Sequence, residues 1–259
     1  MRKHWEMDEE EFSYFEYFSG YVPAGVVFRM VADDTARIAQ NSSEDVRSHL
    51  NSLCLIGLVS YFEAFAKDQI ASAISIAPEI IDSLKQGGHR TDLAADDVYE
   101  YMDRLQYMIG FLISQHLDAG SAKKINSIFT SALKITPFGN AEVKAYERLL
   151  RDRNLIVHHG GAYTTSYIRQ AFEEIPSERR RAHGDSLVVS TDRILSEVEF
   201  LKRIAKKIVL STSEKLKTII RNRYVFVPKQ LSDAVNAMAW WDEDIVRNPD
   251  RVNIDDLPF

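Results

Sequence analysis

One long apolar stripe constrains this chain more than any other feature. Leu50, Leu53, Cys54, Leu58, Tyr61, Phe62 and Phe65 fall at i, i+3, i+4, i+8, i+11, i+12 and i+15. That is the period of an amphipathic helix, not of a strand. Ser42 or Ser43 is placed to cap this helix, with Glu44 and Asp45 favourable in its first turn. It is expected to run to about Ile76, where Pro78 and Glu79 open a short second helix and Gly87-Gly88 breaks the chain. Further helices are expected over 95–117, 121–134 and 141–158. Asn140 caps the last of these and Gly160-Gly161 stops it. Thr191 then caps a strong helix through Leu210, with Ile194, Val198, Leu201, Ile204, Ala205 and Ile208 on one face. Leu187 to Val189 reads as a short extended piece, 224–227 as a strand and 231–241 as another helix. The expected fold class is all-α: a helical bundle over 43–210, an acidic N-terminal extension over 1–42, and a C-terminal extension over 211–259 ending in an acidic tail.

Composition narrows the class. The chain has 259 residues, 45% apolar and 27% charged, with 7 Pro and 11 Gly. These values exclude collagen-like, low-complexity and wholly disordered chains. The single cysteine, Cys54, excludes an internal disulfide framework and a cysteine zinc site. It lies in an apolar stretch and is expected to be a small core residue. The first eleven residues lack the basic-then-apolar order of a signal peptide. The longest apolar run, 53–62, is about half a membrane span. A cytoplasmic protein with no membrane partner is the expectation.

Charge is unevenly distributed. Residues 1–20 and 241–259 each carry 6 acids and 2 bases, while 21–240 is nearly neutral, so the formal charge of −6 comes from the ends. This argues against strong non-specific DNA binding, which needs a basic surface. It leaves room for a small basic site. The tails themselves read most simply as solubilising.

No P-loop, dinucleotide-binding glycine fingerprint, HExxH or GxSxG occurs. The adjacent pair His158-His159 points about 100° apart on a helix and does not readily chelate one metal. The informative segment is Arg151-Asp-Arg-Asn-Leu-Ile-Val-His-His-Gly-Gly161, which contains Arg-Asn-x3-His at 153–158. With 19 Arg, 9 Asn and 7 His in the chain, a loose Arg…His pattern arises by chance roughly 1.5 times, but this Asn-bearing form only about 0.02 times.

The segment resembles the signature of the HEPN superfamily, an Arg followed four to six residues later by His, often with Asn, Asp or His just after the Arg. The resemblance is specific at 153–161. It is architectural over the rest of 43–210, where a long helix containing Tyr61-Phe62-Glu63 precedes the motif and a capped helix follows it. It implies a HEPN-like helical bundle, usually dimeric, and a metal-independent endoribonuclease of the toxin–antitoxin or phage-defence kind, with no cofactor. The implied partners are an RNA substrate, a second copy with the motif helices facing each other, and an antitoxin or other regulatory protein. Some members carry a tyrosine two residues after the histidine, where a partner enzyme modifies them; here that position is Gly160.

The helix period adds an independent point. Asn154 and His158 are i and i+4, and Arg151 lies seven before His158, so the three share a face. Arg153 instead falls among Val143, Tyr146, Leu150 and Val157. A charge on an apolar stripe needs a partner. Either two copies of this helix meet and their arginines reach a shared cleft, or Arg153 snorkels to a carboxylate such as Glu63. The residue types suit RNA cleavage. A neutral imidazole at His158 can take the 2′-OH proton, and the oxygen then attacks phosphorus. Arg153 can stabilise the charge that builds on the phosphoryl oxygens, with Asn154 orienting the phosphate or the histidine. Arg148, Arg151 and His159 are candidate RNA contacts. For Arg148 and Arg151 the alternative is ion pairing with Asp152 or Glu147, and for His159 an exposed helix end. Arg179 to Arg181 read as a solvated loop, Glu63 and Lys67 as an i, i+4 pair that either supports the surface or faces the motif, and Trp240-Trp241 as a docked helix. A HEPN-like module that is catalytically silent and binds a partner protein or nucleotide is the competing reading, and a purely structural bundle is the third.

Overall fold

A computed structural model describes residues 13–171, 174–175 and 185–241. Two short 3-10 turns, Ser13–Tyr17 and Ser19–Tyr21, lead into α1 (Ala24–Asn41), α2 (Arg47–Ile76), α3 (Ile80–Gln86) and α4 (Ala95–Glu100). Next come α5 (Leu105–Ser114), α6 (Ala122–Leu133), α7 (Asn140–His159), α8 (Thr165–Gln170), α9 (Thr191–Arg223) and α10 (Lys229–Ala237). Among the described residues the fold is all-α, and the only extended pairing is an isolated bridge between Ala162 and Ser186.

The 30-residue α2 is the axle of the bundle, with α1, α5, α7 and α9 packed around it. On length and apolarity alone it is fit to cross a membrane. Here Leu55, Leu58, Phe62, Ile70 and Ile74 are wholly enclosed by other helices. Its core face is not the expected stripe. Leu53 is 62% exposed and Tyr61 50%, while Leu55, Val59 and Ala66 are buried, which turns the core face roughly a quarter turn. From Ile70 to Ile76 the helix is buried all round. A helix apolar on every side has no unique phase in its sequence, so its neighbours decide which side is covered. Cys54 is half-buried and packs against the edge of the core.

Several boundaries move for local reasons. The expected cap at Ser42 or Ser43 becomes a turn, with the Val46 N–H donating to the Ser43 carbonyl, and α2 starts at Arg47. Gly139 replaces Asn140 as the N-cap of α7, its N–H donating to Glu142 Oε2 at 2.8 Å. Ser190 replaces Thr191 as the N-cap of α9, its hydroxyl accepting from the Arg193 N–H at 3.2 Å. Thr191 is used elsewhere. Its hydroxyl donates to the Ala39 carbonyl and receives the Asn51 amide, which stitches α1, α2 and α9 together. The helix expected over 95–117 is broken into α4, a 3-10 turn and α5. Residues 224–227 are an exposed connection, not a strand.

The described parts of the expected extensions, 13–41 and 211–241, pack into the body. Phe28 and Ala32 of α1, Leu216 and Ile220 of the far half of α9, and Ala234 and Val235 of α10 share one core with α2. Trp241 is buried against α1, but the helix expected over 231–241 ends at Ala237, so Trp240 and Trp241 lie beyond it rather than on a docked helix. Gly110 sets the closeness of α5 to α2: a Cβ there would lie 1.8 Å from the Ala71 carbonyl oxygen. Only glycine permits that approach.

Candidate functional site

The site grows from α7 and its exits. At the start, Asn126 clamps the preceding turn by accepting the Phe138 N–H and donating to the Phe138 carbonyl, both at 2.9 Å. At the end, Gly160 (φ 60°) and Gly161 (φ 85°) take left-handed conformations that favour glycine. Their N–H groups donate to the carbonyls of Ile156 and Leu155. The Leu187 N–H then donates to the Gly161 carbonyl at 2.9 Å, which fixes the exit against the chain leading into α9. Both ends of the motif helix are therefore held by specific backbone contacts.

Arg153 leans onto α2. Its Nη2 lies 3.6 Å from Glu63 Oε2, and its Nη1 donates to the Asn154 side-chain oxygen at 2.9 Å. Its buried Nε has no acceptor among the described residues. Asn154, His158 and His159 are exposed. His158 follows Asn154 by one turn and has no hydrogen-bond partner among the described residues. Below this surface lies Tyr146, fully buried between the rings of Phe62 and Phe138 at 5.5 and 5.1 Å. Its hydroxyl also lacks a partner among the described residues. Burial pushes the Glu63 carboxyl up and nearby Asp118 adds to this, while Arg153 and Lys67 pull it down. Burial, and then Glu63, push the Tyr146 phenol up. The arrangement is a guanidinium with one long ion pair over a partly buried carboxylate, with an exposed imidazole further along the same helix.

Several apolar side chains on α2 and α7 are also exposed. Leu53, Ser60, Tyr61 and Ala64 are exposed on α2, and Val157 is exposed on α7. At Gly57 a Cβ would meet nothing within 4 Å.

The other side of α7 carries a second constellation. Asp152 is 2% exposed. It accepts from the Tyr167 hydroxyl at 2.7 Å and from Arg193 Nη2, and Arg151 Nε lies 3.5 Å away. Arg151 also pairs with Glu174, donates to the Gln170 carbonyl, and lies 5.4 Å over the Tyr167 ring. Tyr163 stacks on Tyr167 at 5.4 Å with the planes 9° apart. Glu197, pushed up by burial and pulled down by Arg193 and Arg148, closes one wall of a cleft of about 250 Å³.

The structure therefore sorts the predicted site residues. Arg153, Asn154 and His158 lie together at the C-terminal half of α7. Arg151 does not share their open face, because its guanidinium is committed to Glu174, Gln170 and Tyr167. Arg148 is exposed beside Glu197 on the cleft side. His159 stands exposed at the helix end. Arg179 to Arg181 lie outside the described residues. Sequence reasoning missed Asp152, Tyr167, Arg193 and Glu197 as a unit. They come from three segments, and no spacing rule links them. No group of three or more His, Cys, Asp or Glu side chains among the described residues is arranged to hold a metal ion. No protein-family model, curated protein or solved structure matches the chain.

Proposed function

We propose that the chain is a HEPN-type, metal-independent endoribonuclease acting in the cytoplasm as part of a toxin–antitoxin or phage-defence system. The observation that carries this reading is that Arg153, hydrogen-bonded to Asn154, and the exposed His158 fall within six residues of one helix. A guanidinium with a weak internal partner and an exposed imidazole lie on one rigid helix, the pair of groups that 2′-OH attack on a phosphodiester needs. In this reading His158 manages the 2′-OH proton, and Arg153 leaves Glu63 to meet the phosphoryl oxygens. The products are a 2′,3′-cyclic phosphate and a 5′-OH, and no cofactor takes part.

The exposed apolar side chains of Leu53 and Tyr61 on α2 and Val157 on α7 support a homodimer in which two motif helices face each other and cover them. An antitoxin or other regulatory protein covers the same surface when the enzyme is restrained. The pairing of Arg153 with Glu63 favours one competing reading, a catalytically silent module that binds a partner protein or nucleotide.

The test is RNA cleavage by the purified protein in excess EDTA, with His158→Ala alongside and product ends mapped. Cyclic phosphate ends from the wild type alone support the nuclease. No cleavage of structured, single-stranded or transfer RNA by either protein favours the silent module.

A further inference from the structure

A different cavity opens where the two N-terminal 3-10 turns meet α5. Its volume is about 210 Å³, larger than the roughly 150 Å³ cavity that holds a benzene ring. The rings of Tyr17, Tyr101, Tyr107 and Phe111 line it, with Ala71 and Ser72 of α2 contributing to the wall. Tyr17 and Tyr107 meet edge to face at 5.0 Å. Such rings offer both faces and edges to a planar guest.

Its polar groups are of opposite sign. Arg104 is half-exposed and lies 3.9 Å from the partly buried Glu16 carboxylate. It donates to the Tyr21 hydroxyl at 2.8 Å, which leaves most of its five N–H donors for other acceptors. Glu16 accepts no hydrogen bond among the described residues. A carboxylate ligand alone would be drawn by Arg104 and repelled by Glu16, and an amine alone would meet the reverse. A zwitterion satisfies both.

The backbone here is strained in a way that serves this mouth. Tyr21 has φ of 61°, an uncommon conformation for a bulky residue. Its hydrogen bond to Arg104 stands at the cavity rim. Strain kept at a cavity rim is a mark of ligand clamps.

We propose that this cavity binds a free aromatic α-amino acid, with the ring among the tyrosines, the carboxylate on Arg104 and the ammonium on Glu16. The proposal is independent of the chemistry at the motif. The tyrosine rings also present a negative face to the ligand ammonium.

Isothermal titration of the full chain with L-phenylalanine, L-tyrosine and L-tryptophan tests it, with phenylacetate and 2-phenylethylamine as single-charge controls. At least one amino acid is expected to bind saturably, with each control tenfold or more weaker. Arg104→Ala and Glu16→Gln, checked for folding by circular dichroism, are expected to weaken that binding at least tenfold. The proposal is overturned if none of the three amino acids binds at millimolar concentration. It is equally overturned if a control binds as well as its parent amino acid, or if both folded variants bind like the wild type.

Discussion

Asp152 and Arg153 are consecutive residues on one helix, and their surroundings are opposite in kind. Asp152 is buried and held by Tyr167, Arg193 and Arg151. Among the described residues Arg153 has one ion pair at 3.6 Å, one hydrogen bond to its neighbour Asn154, and a buried Nε without an acceptor. A buried charge with three partners is anchored, because removing any partner leaves unpaired polar atoms out of water. A charge with one long ion pair and one hydrogen bond to its own chain neighbour can leave them at smaller cost. Helix α7 is thus fastened on the Asp152 side and holds Arg153 more loosely on the other.

Breaking the anchor should have the largest effect. Asp152→Ala leaves Arg193 with Glu197 alone and the Tyr167 hydroxyl without its acceptor, a loss on the order of 3 kcal/mol. Urea unfolding checks this, and a loss below about 1 kcal/mol would remove the distinction between the two sides.

A carboxylate buried without such partners should behave in the opposite way. Asp68 on α2 has no hydrogen bond among the described residues, and burial raises its pKa from 3.8 to about 6, opposed only by Lys67. Its folded pKa exceeds the unfolded one, so the folded chain binds more protons between about pH 4 and 6. Stability from this group is present at low pH and lost as the pH rises through 6. Asp68→Asn is therefore expected to stabilise the protein at pH 7 by roughly 2–3 kcal/mol and to flatten the slope between pH 4 and 6. Unfolding midpoints across that range are the readout, and an unchanged slope would count against the assignment. Glu63, also raised by burial, slopes in the same sense.

Tyr167→Phe is a smaller probe of the anchor. It removes one hydroxyl donor and keeps the stack on Tyr163, for a loss of about 1 kcal/mol. A double-mutant cycle with Asp152→Ala would show whether that loss vanishes once the acceptor is gone.

Sequence alone showed most of the helices and the buried face of α9, but it missed α1 and the phase of α2. The Arg-Asn-x3-His run reads directly because its members lie within six residues on one helix, where spacing equals geometry. The Asp152 network does not, since Tyr167 and Arg193 approach only after α8 and α9 pack. Arg151 was misplaced for a related reason: the helix period put it beside His158, but the long side chain follows Glu174 and Tyr167 instead. The caps at 139 and 190 moved by one residue because adjacent residues competed for the same role. At α2 the stripe pointed a quarter turn off because Leu53 and Tyr61 are as apolar as the residues that are buried.

A similarly small stability effect belongs to Arg153, and it carries the central claim. Arg153→Ala is expected to cost about 1 kcal/mol, less than Asp152→Ala, since its ion pair is long and keeps about a quarter of each side chain in water. The decisive measurement sets that stability beside RNA cleavage in excess EDTA for the same variant. Near-normal unfolding with cleavage abolished is expected. Unchanged cleavage, or a stability loss as large as that of Asp152→Ala, would contradict it and make Arg153 a structural residue.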